Sequence, residues 1–128
     1  MAFGRRRGPG AERLAERRQR EDSAPRLIER VPQLESLRLE MQEVHAGTTV
    51  LESTHVRRIP VPHAPALFEL PCLDSFCKDG IHDLTYDILH ALQSHATKFQ
   101  GEDACPGHTG SADCQRVLRY VALATYRP

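Results

Sequence analysis

The chain has 128 residues, 17 Lys and Arg against 17 Asp and Glu, nine Pro, eight Gly, four Cys and no Trp. That length accommodates one small domain with a tail. The longest stretches free of formal charge, residues 59–68 and 88–97, are too short for a membrane span, and Arg5, Arg6 and Arg7 near the start lack the apolar core of a secretory signal, so a cytoplasmic protein is expected.

Charge is unevenly placed. Residues 1–30 hold nine Arg against five acids, and the remainder is mildly acidic. Residues 1–22 contain one aliphatic residue longer than alanine, Leu14, so no apolar stripe is available for a core. Pairs such as Glu16–Arg20 and Arg17–Glu21 contribute about 0.3 kcal/mol each, too little to overcome helix nucleation in water. The expectation is a flexible basic arm over 1–22 and a single small α+β domain over 23–128. Arg5, Arg6, Arg7, Arg13, Arg17, Arg18 and Arg20 form its candidate polyanion-binding set, because each Arg that meets a phosphate releases counterions. A solvated tail is the competing reading, since Glu12, Glu16, Glu21 and Asp22 interleave the arginines.

Ser23 before Ala24-Pro25 predicts a short helix carrying Leu27, Ile28 and Val31 up to Pro32. From Ser36 the period becomes alternating: Leu37, Leu39 and Met41 point one way, Arg38, Glu40 and Gln42 the other, as in a strand with one wet face. Ala46-Gly47-Thr48-Thr49 predicts a turn. Residues 50–59 predict a partner strand with Val50, Thr54 and Val56 on the apolar side. Pro60, Pro62 and Pro65 predict an extended segment outside any central ladder, and 66–70 resumes a strand.

Leu84, Ile88, Ala91, Leu92, His95 and Phe99 recur at helical spacing, which predicts the principal helix over 84–100, capped by Asp83 and ended by Gly101. Residues 114–126 fit either period; a central strand is expected, because the preceding hairpin needs an apolar neighbour. The fold class that follows is α+β, a small mainly antiparallel sheet of three or four strands packed on one principal helix, with a cysteine-rich metal clip.

Cys72 and Cys77 form a C-x4-C pair and Cys105 and Cys114 a C-x8-C pair. Two loop-borne pairs point to a tetrahedral thiolate site, and a closed four-thiolate zinc site is structural. Pro71, Pro106, Gly80, Gly101, Gly107 and Gly110 give these loops their turn residues. Three alternatives stand beside this reading: a disulfide within each pair, His82 or His108 replacing one thiolate, and uncoordinated thiols. Neither ferredoxin spacing is present.

The remaining histidines form no ligand pair at i, i+4. No H-E-x-x-H, Walker loop, nucleophile elbow, deaminase motif or C-x-x-C is present. Glu102 and Asp103 are the adjacent carboxylates beside Cys105, available as a general base if the metal kept an open position. The expected function is that of a non-enzymatic adaptor or assembly protein with structural zinc, engaging a larger partner, RNA or a ribonucleoprotein, through the Arg-rich arm. A metal-dependent hydrolase or thiol redox sensor using the same loops is the alternative.

Overall fold

A computed structural model describes residues 9–45, 51–72, 74, 76–78 and 80–128. The helices are α1 (Pro9–Ser23), α2 (Leu27–Arg30) and α3 (Thr85–Gln93), and the strands are β1 (Leu34–His45), β2 (Leu51–Ile59), β3 (Glu69–Pro71), β4 (Ile81–Asp83), β5 (Lys98–Ala104), β6 (His108–Thr109), β7 (Ala112–Asp113) and β8 (Arg116–Tyr126). β2, β1, β8 and β5 pair antiparallel in that order; β3–β4 and β6–β7 are separate two-stranded ladders. The fold is α+β but dominated by its sheet. No helix among the described residues is long and apolar enough to cross a membrane.

β1 follows its alternation. Leu37, Leu39 and Met41 are buried, and the register places them opposite Ala124, Ala122 and Tyr120 of β8, so both central strands give one face to the core. Ile88 and Leu92 of α3, and Leu84 just before it, join them in one buried cluster with Leu27, Val31 and Phe68. Residues 114–126 were ambiguous by pattern; β8 is a strand, bonded on both sides, and the second apolar row (Val117, Val121, Leu123) lies on the outer face.

The long helix expected over 84–100 is two elements. α3 stops at Gln93, and His95 takes φ 57°, while the N–H of Ala96 donates to Ala91 O and that of His95 to Leu92 O. This pair of bonds is the Schellman ending, usually built on glycine. Here the His95 ring stacks on Tyr126 (centroids 4.6 Å apart) and the Tyr126 hydroxyl donates to Ala96 O at 2.6 Å, which holds the turn. Phe99 then alternates with charged and polar neighbours as part of β5. Gly101 ends no helix; it faces Tyr120, whose ring lies 2.8 Å from where a Cβ would stand. Asp83 does contribute at the start of α3, its carboxylate accepting the Thr85 N–H at 3.1 Å.

Other expectations change as well. The arm expected to be flexible contains α1, with Arg17 paired to Glu21 at 3.1 Å and Arg20 reaching Glu69 at 2.9 Å. The Arg20–Glu69 pair ties this helix to β3, although an exposed pair contributes only about 0.2–1 kcal/mol. Ser23 ends α1 and does not start the next helix, and α2 is a single turn. Its approach is fixed by a backbone ladder, Leu27 N–H to Ala64 O and Ala66 N–H to Pro25 O. Pro60–His63 is a turn closed by His63 N–H to Pro60 O, and not extended chain. Thr54 and Val56 share the outer face with Glu40; the other face of β2 carries His55 and Arg57, opposite Met41 and Leu39, and all four of these β2 residues are exposed. The turn expected at 46–49 and Val50 lie outside the described residues.

Candidate metal centre

All four cysteines sit where short ladders end. Cys72 follows β3, Cys77 lies in the loop leading to β4, Cys105 follows β5, and Cys114 joins β7 to β8. A continuous helix over 84–100 would set the two sequence pairs at its opposite ends. The chain instead turns at His95, and β5 runs back to the end from which α3 started. Backbone bonds then lock the loops together: Cys72 N–H to Gly80 O, Cys105 N–H to Arg116 O, Cys114 N–H to Gly107 O, and a two-way bridge between Lys78 and His108.

The four Sγ atoms all lie within 4.8 Å of one another. Cys72–Cys114 is 3.8 Å and Cys77–Cys105 is 3.6 Å. Four thiolates about 2.3 Å from one zinc define a tetrahedron with edges of about 3.8 Å, so the cluster has the size of a coordination sphere. The contacts of 3.6 and 3.8 Å cross between the sequence pairs, the sulfurs within each pair also lie within 4.8 Å, and none of the four is joined in a disulfide.

Two glycines are shaped to the sulfurs. A Cβ at position 80 would stand 2.5 Å from Cys77 Sγ and 2.6 Å from Cys105 Sγ; one at 107 would stand 2.6 Å from Cys77 Sγ. Gly107 N–H also donates to Cys105 Sγ at 3.4 Å, and the Asp74 N–H donates to Cys72 Sγ. Burial pushes the Cys72 and Cys105 thiols up to about 12, against these backbone donors, and the Cys77 thiol up to about 11. Desolvation without a cation favours the neutral thiol; a bound metal inverts that preference and holds the thiolate.

His82 and His108, the expected substitutes, separate. His108 is exposed and joins the loops through its backbone. His82 is fully buried beside the cluster, and its Nδ1 lies 2.9 Å from Asp103 Oδ2. Glu102 and Asp103 also part, because adjacent strand residues point to opposite faces: Asp103 turns inward to His82, and Glu102 outward to Arg119 at 3.3 Å. Among the arm arginines, Arg17 and Arg20 are engaged with carboxylates, Arg18 is exposed, Arg5–Arg7 lie outside the described residues, and so does the Arg13 side chain.

Sequence reasoning missed two residues here. Glu43 is buried, with Oε1 3.4 Å from His82 Nε2 and Oε2 3.9 Å from Arg116 Nη1. Its signal was present, since it continues the inward series Leu37, Leu39, Met41. Asp74 organises the first loop: its carboxylate accepts the Phe76 N–H at 2.9 Å and its carbonyl the Cys77 N–H at 3.0 Å. Comparison of the chain with known protein families, with characterised proteins and with solved structures finds no match.

Proposed function

We propose that the chain is a small zinc protein whose four-cysteine centre is structural, and that it acts without catalysis as an adaptor or assembly protein in the reducing cytoplasm. The observation that carries this reading is the mutual approach of four sulfurs within 4.8 Å. Four thiolates fill a tetrahedral zinc and leave no position for substrate, which is the signature of a structural site. Zinc suits the donor set better than magnesium or calcium, because soft sulfur ligands favour it.

The partner in this reading is RNA or a ribonucleoprotein, met by the Arg-rich segment. Arg18 and the arginines at 5–7 and 13 carry that part, because Arg17 and Arg20 spend charge on Glu21 and Glu69. The hydrolase alternative loses support, since the Asp103 carboxylate is bonded to His82 and Glu102 faces away.

Elemental analysis with a thiol count on the purified full chain tests the metal: zinc bound by four protected thiols is expected, and four freely reactive thiols without metal reject it. Filter binding to RNA over a salt series tests the partner. Affinity should fall steeply with salt and on deletion of residues 1–22; affinity indifferent to both rejects that partner.

A further inference from the structure

Beside the sulfur cluster lies a second donor set. One ligand atom each from Glu43, Cys72 and His82 falls within 4.8 Å of the others, and Glu43 and His82 are both buried. Asp103 is a partly exposed carboxylate and accepts from His82 Nδ1, which leaves Nε2 as the ring nitrogen turned toward Glu43 and Cys72. Nε2 is buried and makes no hydrogen bond among the described residues; the Glu43 Oε1 atom stands 3.4 Å away. A charge-assisted hydrogen bond between these atoms would be about 2.7–2.9 Å long. Two ligands about 2.0–2.1 Å from one tetrahedral ion lie about 3.3 Å apart, which is the spacing present.

We infer that Glu43, His82 and Cys72 form a second divalent-metal site, with the Cys72 thiolate bridging two ions of the zinc class. The inference rests on the four-cysteine reading through that one shared sulfur. Three features support it. The His82–Asp103 bond is the arrangement that orients metal-binding imidazoles, a carboxylate fixing one nitrogen so that the other meets the ion. The charge balance favours a cation, because a zinc tetrathiolate carries two negative charges, and Arg116 is shared between Glu43 at 3.9 Å and Asp74 at 3.8 Å. Finally, a cleft of about 670 Å³ passes behind Glu43 and His82, which puts the buried pair one side chain away from a route for ion entry. Asp103 is a positioning residue, since it acts through His82.

The test is titration of the metal-stripped, fully reduced chain with Co²⁺, followed by absorption and by elemental analysis. Two ions per chain are expected, the first with the charge-transfer band of four thiolates. His82→Gln and Glu43→Gln should each retain the first ion and lose the second. Asp103→Asn should weaken the second step by about 10–100-fold and leave the first unchanged. Cadmium NMR of the wild-type chain gives a readout independent of any variant, with two resonances expected, one from an all-sulfur and one from a mixed-ligand ion. A single ion at saturation, or a single resonance, overturns the second site and leaves the four-cysteine centre standing. No bound ion overturns both. Two ions retained by His82→Gln and Glu43→Gln overturn the ligand assignment.

Discussion

Along β1 the inward positions run Leu37, Leu39, Met41 and then Glu43; along β8, taken in the opposite direction, they run Ala124, Ala122, Tyr120, Leu118 and then Arg116. One end of the sheet is thus closed by α3 and its aliphatic side chains, the other by charged groups and four sulfurs. The first end is stabilised by apolar area removed from water, which is roughly additive and tolerant of shape. The second offers little such area. Its ladders are two or three residues long, below what holds a hairpin together in water, and under the proposed reading it depends on coordination. With the proposed ion in place, the same sheet has one half made by burial and one made by ligation, and the two should fail under different insults.

Metal removal should give the largest difference. Structural zinc is worth about 10–16 kcal/mol in small peptides, comparable with the stability of a whole domain. Chelation, or Cys105→Ser or Cys114→Ser, should release the sulfur end while the aliphatic end keeps its strands. Hydrogen exchange checks this: the amides of Cys72, Lys78, Cys105 and Cys114 should lose protection, and those of Leu39 and Ala122 should retain it. Simultaneous loss at both ends would erase the distinction between them.

The converse perturbation is Ile88→Ala or Leu92→Ala, which should cost about 2–5 kcal/mol each as fully buried aliphatics are cut. Urea unfolding should show that loss, with metal content per folded molecule unchanged. Metal lost in step with stability would mean that the two ends are one cooperative unit.

A glycine pair sharpens the contrast at smaller scale. Gly80→Ala drives a methyl into two sulfurs, and overpacking of that kind costs about 1–3 kcal/mol; metal affinity should fall tenfold or more. Gly110→Ala, at φ +64° with nothing within 4 Å, should cost about 1 kcal/mol of backbone strain and leave metal affinity alone. Equal affinities in the two variants, measured by competition with a chromophoric chelator, would show that Gly80 has no role at the sulfurs.

The aliphatic end was the more legible in sequence, and the reason is physical. Period-two burial in β1 is written in Leu37, Leu39 and Met41, whereas His95 and Phe99 matched a helical period by coincidence. The chain reversal there is set by a non-glycine residue in a left-handed conformation, held by stacking on Tyr126, thirty-one positions on. No local pattern reveals a partner so distant. At the sulfur end, the donor types at Cys72, Cys77, Cys105 and Cys114 announced a cluster, but not its geometry. Glu43 was passed over because a carboxylate on an apolar face looks like an irregularity until His82 and Arg116 are seen around it.

The subtlest expected effect is in pH, where the metal-free and loaded chains should differ in sign. In the fraction of metal-free chains whose sulfur end is closed, burial raises the Cys72 and Cys105 thiols to about 12 and the Cys77 thiol to about 11, above their unfolded values; a released end has no such contribution. A raised value means that the fold prefers the protonated group. That contribution is complete below the unfolded thiol range, about 8.5–9, and is lost as pH climbs through 11–12. The loaded fold holds thiolates, so protons compete with the metal and its stability rises with pH through the acid and neutral range. Melting temperatures taken between pH 5 and pH 10 should therefore be nearly level and then falling for the metal-free chain, and rising from the acid side for the loaded one. These thiols are partly screened by solvent, which keeps the metal-free slope shallow. Parallel curves would mean that the sulfurs keep the same protonation with and without metal, which no thiolate-bound ion permits.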